Sequence, residues 1–484
     1  MKLKQLIKQL PGIEVRGSKE VEISGLSIDS RSVSPGHLFI AKKGLVCDGS
    51  RFIGQALKGG AFAIATDLYD PFVSQTQIIH PEPASLVPLL ASRFYQKPSE
   101  DLFVFGATGT KGKTTTTYLA KQLLDALGKK TGLIGGVETI VGDHRLSSTL
   151  TTHDVIFNQK WLREMVDQKC QAASLEVSSH GLMQKRVDEI LFDVALFTNL
   201  SIDHLDYHQT MESYAQAKKR LFQFLDQSPK KNKRALFNAD SPWSSVLREG
   251  LQSPVWTFGL DARCDIQGKD CAFSLKGTQF VVDFQGESVP FSTKLLGKFN
   301  LYNLLGAISL ALHAGFSLKD LQRPVAQAVG APGRLERVGE QIFVDHAHMG
   351  ESLAQVLGTL KEMTKKTLWV VFGCGGDRDP TRRRLMAEAA ERYADRIVVT
   401  TDNPRSEPPD EICRQIVSAF QRPEKAYIEL DRRLAITHAV SHLQEGDLLL
   451  VAGKGHEKVQ IFAHKTVPFD DIAAVNDALS STGS

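Results

Sequence analysis

The chain has 484 residues, 42% hydrophobic and 23% charged, which is enough apolar material for about three ordinary globular domains. Lysine and arginine total 58 against 55 aspartate and glutamate, a formal balance of +3 that gives no footprint for nucleic acid and no general attraction to membranes. The six cysteines, Cys47, Cys170, Cys264, Cys271, Cys374 and Cys413, form no CxxC pair, which argues against a zinc site or a disulfide framework and for reduced thiols in a cytoplasmic protein.

Lys8 and Gln9 interrupt the leucines of MKLKQLIKQLPGIEV, so no signal peptide is expected, and no run approaches the length of a membrane span. Residues 1–98 hold short apolar runs, GHLFIA and GAFAIAT among them, and the polar YQKPSE at 95–100 reads as a linker. From 99 onward the runs DLFVFGATGT, GLIGGV, AASLEVS, DVALFTNL, RALFNAD and PVWTFG are strand-like. Helical patterns at 155–168 and 211–226 lie among them, as in a parallel sheet covered by helices. Residues 262–296 alternate polar and apolar around Gly268, Gly277 and Gly286, predicting a small antiparallel insertion, and NLYNLLGAISLALHAG predicts a helix. VGAPGRLERVGE at 329–340 reads as a connector. Beyond it QIFVDHA, TLWVVFG, RIVVTT, AYIEL and DLLLVAG alternate with helical patterns, as in a Rossmann-like unit.

VFGATGTKGKTTTTYLA at 104–120 places a glycine-rich turn, Lys113 and a row of threonines between a strand and a helix. Backbone N–H groups of such a turn converge on phosphate oxygens, the lysine neutralises them and the following hydroxyl suits Mg²⁺. The usual first glycine of that motif is displaced: position 107 is Ala107, and the glycines are Gly106, Gly109 and Gly112. LEVSSHGL puts Glu176 at a strand end, where a carboxylate can face Thr114 and hold Mg²⁺, although strand-end carboxylates are more often solvated. FTNLSIDHLDYH clusters Asp203, His204, Asp206 and His208; spacing alone favours a polar loop over a metal site. YAQAKKRLF reads by itself as an exposed basic helix with Lys218 in solvent.

GATGTKGKTT resembles the ATP loop of the Mur ligases, the amino-acid-adding enzymes of peptidoglycan synthesis, which displace the first glycine in the same way. The resemblance extends over nearly the whole chain. It implies an α/β protein of three domains: a UDP-muramoyl-binding α/β domain (1–98), a central P-loop ATPase-like parallel sheet with a small β insertion (99–332), and a Rossmann-like amino-acid-binding domain (333–484). It implies ATP as co-substrate at Gly109, Thr110, Lys111, Gly112, Lys113, Thr114 and Thr115. Asn300 and Asn303 of GKFNLYN resemble the adenine-proximal asparagines, and Arg334 of GRLE the arginine that reaches the phosphates. Asp345 opens DHAHMG, where the family usually has D-Y-A-H-T-P; a nucleotide-ribose role is implied for it. Two Mg²⁺ ions are implied, with Thr114, Glu176 and His204 as ligands and with Lys218 carbamoylated by CO₂ as a further one.

The same resemblance implies that SIDSRSVSPGHLFIAKKG carries a uridine contact at Ser30. Thr151 and Thr152 of LTTHD, and Ser178, Gln184 and Arg186 of VSSHGLMQKR, would bind the UDP-muramoyl peptide. The loop after Gly44, LVCDG, lacks the family's histidine and carries no assignment. TDNPRSEPP resembles the D-N-P-R of the branch that adds meso-diaminopimelate. A guanidinium at Arg405 suits the distal carboxylate of that amino acid, which lysine lacks. Asp402 and Asn403 would hold the far amino group, with Pro404, Arg378, Gly453 and Glu457 beside them. The expected partners are ATP, UDP-N-acetylmuramoyl-L-alanyl-D-glutamate and meso-diaminopimelate, handled by a cytoplasmic monomer. The alternatives are a lysine-adding relative and a P-loop ATPase of another class.

Overall fold

Most strands of this chain are short unbroken apolar runs, buried on both faces, and they build sheets covered by helices. The computed structural model describes residues 1–42 and 48–482, so Leu45, Val46 and Cys47 of the LVCDG stretch lie outside the described residues. The chain falls into two compact units, Met1–Ile266 with Gly306–Phe316, and Gln267–Leu305 with Ser317–Ser484.

In the first unit an N-terminal sheet runs in the order Glu14–Arg16, Thr76–Ile79, Ala63–Thr66, His37–Ile40, Gly25–Ser27; only the first strand is antiparallel. Leu3, Leu6, Ile23, Leu38, Ile40, Ile78 and Leu90 form its core. The YQKPSE stretch is a tight, anchored turn. Lys97 N–H donates to Ser92 O at 2.7 Å, and the buried Ser99 hydroxyl accepts from Leu191 N–H at 3.1 Å.

The central sheet places Phe103–Thr108 between Ala172–Glu176 and Val194–Phe197, all parallel. Thr131–Ile134 lies beyond the former; Arg234–Asn238 and Val255–Gly259 extend from the latter. The chain thus winds first to one side of Phe103–Thr108 and then to the other, and such a switch opens a crevice at the carboxyl ends of the strands. The helices Val155–Asp167 and Met211–Gln227 match the helical patterns, and each begins at a side-chain cap, Asp154 and Thr210. The hairpin Glu138–Val141/His144–Ser147 was not legible; its second strand is exposed throughout and carries no apolar alternation.

The second unit contains the antiparallel pair Gly277–Phe284/Glu287–Thr293, the predicted insertion. Its main sheet runs in the order Glu336–Val338, Ile342–Asp345, Leu448–Ala452, Leu368–Phe372, Arg396–Val399, Ala426–Ile428, parallel except at the first pair. Helices Gly350–Met363 and Thr381–Tyr393 pack one face, and Arg432–Ser441 and Asp471–Thr482 the other. The 329–340 connector contains the edge strand Glu336–Val338, three residues long and so without a readable period. Among the described residues no helix is long and apolar enough to cross a membrane.

Candidate functional site

At the carboxyl end of Phe103–Thr108 the chain turns through Gly109 (φ +151°) and Gly112 (φ +84°) into the helix Lys113–Ala126. A Cβ at Gly109 would collide with the Thr198 hydroxyl, so the turn requires glycine there. The loop is fastened to the end of the neighbouring strand. Asn199 O accepts from Thr110 N–H at 2.9 Å, Asn199 Oδ1 accepts from Lys111 N–H at 3.0 Å, and Thr198 Oγ1 donates to Lys111 O at 2.7 Å. Lys113 Nζ donates to the carbonyls of Gly109 and Thr110, both at 2.9 Å, so its cation lies along the inside of the turn. Thr114 and Thr115 are buried in the first helical turn.

Glu176 is 2% exposed, which overturns a solvated strand end. Its Oε2 accepts from Thr114 Oγ1 at 2.9 Å and its Oε1 from Gly136 N–H at 2.8 Å. Its backbone carbonyl accepts from Thr152 Oγ1 at 2.8 Å, and that hydroxyl accepts from Ser178 N–H at 2.9 Å. Arg186 donates to Thr152 O at 2.5 Å and to Gln184 Oε1 at 2.6 Å. Thr114, Glu176, Thr152, Ser178, Gln184 and Arg186 are therefore one hydrogen-bonded chain, with Thr151 exposed next to it.

Lys218 is not in solvent. It is 1% exposed, its Nζ donates to Gly109 O at 2.7 Å, and it lies 4.3 Å from the centre of the Tyr214 ring. Burial, then the nearby Lys113 cation, hold its amine well below the ordinary lysine range, against a weaker pull from Asp203. Tyr214 and His208 stack at 4.9 Å, and His204 meets His180 edge-on at 4.9 Å. His204 stands in a left-handed conformation (φ +54°) with Nε2 3.4 Å from Asp203; desolvation lowers its pKa and favours the neutral, ligand-competent imidazole. Ser30 lies in the N-terminal sheet region, where its hydroxyl donates to Gln55 Oε1 at 2.8 Å.

In the second unit Asn300 is buried and donates to Leu296 O at 3.0 Å, and Asn303 donates to Asn300 Oδ1 at 3.4 Å. Asp345 accepts from Leu335 N–H at 2.6 Å; burial pushes its carboxyl up to about 6, against the opposing pull of Arg334. His346, where the family has tyrosine, hydrogen-bonds through Nδ1 to Lys454 O at 3.0 Å, and its ring lies 4.6 Å from His348 and 5.0 Å from His456.

The TDNPRSEPP stretch meets the Gly375–Gly376 turn and the Lys454–Glu457 segment. Arg405 has φ +52°, fixed by its N–H to Ile461 O at 2.9 Å, and its Nη1 donates to Gly376 O at 2.8 Å. A Cβ on Gly375 would lie 2.8 Å from that Nη1 and 3.8 Å from Arg378 Cγ, which places both arginines along this glycine turn. Glu407 N–H donates to Pro404 O at 3.1 Å. Asp402 is buried, and its Oδ2 has no hydrogen-bond partner among the described residues; a Cβ on Gly453 (φ +114°) would stand 2.6 Å from it. Asn403 Nδ2 donates to Glu457 Oε2 at 2.8 Å. The residue that sequence reasoning missed is Lys454, fully buried, whose Nζ donates to Asn403 Oδ1 at 3.0 Å and Glu457 Oε2 at 3.2 Å. Its position within AGKGHEK was the only signal.

Residues 22–86 match the Mur ligase family catalytic domain, 107–311 the Mur ligase middle domain and 333–455 the Mur ligase glutamate ligase domain. The chain is similar to the UDP-N-acetylmuramoyl-L-alanyl-D-glutamate–2,6-diaminopimelate ligase of Chlamydia pneumoniae, 42% identical over 99% of this chain and 100% of that one. It is 40% identical to the ligase of the same name from Geobacillus thermodenitrificans, over 99% of each chain. A solved structure of a ligase of that name superposes with a TM-score of 0.72 at 32% identity, covering 100% of this chain and 99% of that one. With a glycine loop built for phosphates, a buried carboxylate beside it and full-length similarity of this kind, the chain belongs to the Mur ligase family of ATP-dependent, amide-bond-forming ligases.

Proposed function

We propose that the chain adds meso-2,6-diaminopimelate to UDP-N-acetylmuramoyl-L-alanyl-D-glutamate in peptidoglycan precursor synthesis, and that its three family matches correspond to UDP-muramoyl-binding, ATP-binding and amino-acid-binding domains. ATP gives its terminal phosphoryl group to the γ-carboxylate of the D-glutamyl residue. The amine of diaminopimelate then attacks this acyl phosphate, and the tetrahedral adduct expels phosphate to leave the amide. The observation that carries the choice of amino acid is Arg405, whose Nη1 is spent on backbone carbonyls while Nε and Nη2 make no hydrogen bond among the described residues. That free edge matches a carboxylate in bidentate fashion.

In this reading Lys113, the loop N–H groups and Arg334 are assigned to the phosphates, Asn300 and Asn303 to the adenine and Asp345 to the ribose. Thr152, Ser178, Gln184 and Arg186, with Thr151 and Ser30, hold the UDP-muramoyl peptide. Asp402 and Glu457, in place of the expected Asp402 and Asn403, take the distal ammonium of diaminopimelate, because Asn403 Oδ1 already accepts from Lys454 Nζ and Ile461 N–H and has no lone pair left for it.

Among the described residues no three His, Cys, Asp or Glu side chains converge as a metal cage. The paired Thr114 hydroxyl and Glu176 carboxylate nevertheless suit Mg²⁺, which takes one or two protein ligands and fills the rest of its shell with phosphate oxygens and water. Bound there, Mg²⁺ would offset charge on the phosphates. The neutral amine of Lys218 is the form that reacts with CO₂, releasing a proton and leaving an anionic carbamate that, with the neutral His204, suits a second ion.

The test is phosphate release and product mass with ATP, the UDP-muramoyl dipeptide and either meso-diaminopimelate or L-lysine. Amide product with diaminopimelate alone is expected. Phosphate release independent of the dipeptide, or equal product with lysine, would refute the proposal.

A further inference from the structure

Lysine is almost never fully buried unless its charge is paired. Lys454 is 0% exposed, and its Nζ bonds two side chains of the amino-acid pocket, Asn403 and Glu457. Asn403 Oδ1 accepts from Lys454 Nζ at 3.0 Å and from Ile461 N–H at 3.0 Å, so both of its lone pairs are used. This settles the orientation of the amide: a reversed side chain would set its NH₂ against two donors. Its Nδ2 therefore faces Glu457 Oε2 and, among the described residues, has one N–H left for a ligand. Among the described residues Glu457 is held through Oε2 alone, which leaves Oε1 for a ligand.

Asp402 is the other pocket carboxylate. The charged and titratable groups facing it are Lys454, Arg432, Glu457, Asp471, His348 and Cys374. Arg432 is spent on Asp471, with bonds of 2.7 and 2.8 Å, and on Ala452 O at 3.0 Å. Lys454 is then the cation that balances the pair Asp402 and Glu457. The three together carry one net negative charge, which a single ammonium neutralises.

We propose that Lys454 is a positioning residue for the amino-acid substrate: it fixes the Asn403 amide and the Glu457 carboxylate in one arrangement and sets the pocket's charge to match one ammonium group. The inference rests on the amino-acid pocket assigned under the proposed function. Lys454 itself lies behind Asn403 and Glu457 and touches no reacting atom.

The experiment compares the full chain with Lys454→Met and Lys454→Ala, the latter with and without propylammonium, which restores the missing atoms. Removing one partner of a buried charge pair should raise KM for diaminopimelate by roughly 30-fold, while kcat changes by no more than about threefold and KM for ATP and the dipeptide stays put. With the cation gone, Asp402 keeps its proton to higher pH, so the acid limb of kcat/KM for diaminopimelate moves up by about one pH unit. Propylammonium should restore KM in the alanine variant. An unchanged KM and acid limb would overturn the inference, as would three KM values rising together. A variant that melts below the assay temperature and is not recovered by propylammonium would overturn it too, since the lysine would then be required for folding alone. If wild type adds no diaminopimelate, it is the pocket assignment that falls.

Discussion

Replacing Arg405 with lysine keeps the charge and removes the fork. In the structure Nη1 is committed to Gly376 O at 2.8 Å and, more weakly, Asn403 O at 3.4 Å, which sets the plane of the guanidinium. The backbone contributes as well: Arg405 is left-handed, a conformation that costs a non-glycine residue about 1 kcal/mol or more, and the Ile461 O hydrogen bond holds it there. Nε and Nη2 then present two parallel N–H groups to a ligand. An ammonium on a flexible stem cannot bond the backbone carbonyls and also meet both carboxylate oxygens in that geometry. At least one charge-assisted hydrogen bond is lost, at about 1.5–3 kcal/mol. The specificity constant for diaminopimelate should therefore fall by roughly 10- to 100-fold. L-Lysine has no distal carboxylate to lose, so its low rate should change little.

The assay is phosphate release at saturating ATP and UDP-muramoyl dipeptide, with each amino acid varied in turn, for wild type and Arg405→Lys. The ratio of the two specificity constants is the quantity that matters, because damage to the ATP site or the dipeptide site cancels in it. Equal losses for both amino acids, or no loss for either, would show that Arg405 does not read the far carboxylate.

Three further outcomes are expected. In CO₂-free buffer the buried Lys218 amine holds its proton less tightly than an unfolded lysine near about 10.4. Wild-type stability should accordingly rise with pH from the lowered folded value up to that point, and Lys218→Met should flatten the rise in urea midpoint; parallel curves would refute it. The Asp345 carboxyl is raised to about 6, so the folded chain loses stability as pH climbs from the ordinary aspartate range through that value; Asp345→Asn should add about 1–2 kcal/mol at neutral pH, add less in acid, and impair ATP turnover. The helix Gly350–Met363 starts at Met349 without a side-chain cap, where the family's D-Y-A-H-T-P has threonine; Met349→Thr should gain about 1 kcal/mol in thermal or urea unfolding.

The phosphate loop was legible because its chemistry is local. Gly109, Gly112 and Lys113 lie within five residues of one another, and the positive φ of both glycines is what the motif requires. Strand runs such as Phe103–Thr108 and Leu448–Ala452 were legible because strands buried on both faces leave no polar positions. Legibility failed where burial comes from distant partners. Lys218 reads as part of a basic surface, and only the approach of Gly109 O, 109 residues away in sequence, puts it inside. Lys454 is tied to Asn403 across 51 residues, a distance that no periodicity reports. The polar YQKPSE stretch misled in the same way: it reads as a linker, yet Ser99 satisfies a backbone N–H donor and is buried.

Lys218 and Lys454 make the same point in chemical terms. Both are shielded from water almost completely, so burial alone does not separate them. Lys218 finds one carbonyl oxygen, an aromatic ring and the cation of Lys113 nearby, surroundings that favour an uncharged amine. Such an amine is a nucleophile, available to CO₂ and convertible into a carboxylate-like metal ligand. Lys454 finds the Glu457 carboxylate at 3.2 Å and an amide oxygen at 3.0 Å, surroundings that keep an ammonium in place. Such an ammonium holds its neighbours still and balances their charge without reacting. What separates the two is the sign of the nearest charge: each lysine is buried beside a site that must accept a charged group, and the partner charge decides whether it becomes an anion there or remains the fixed cation behind it.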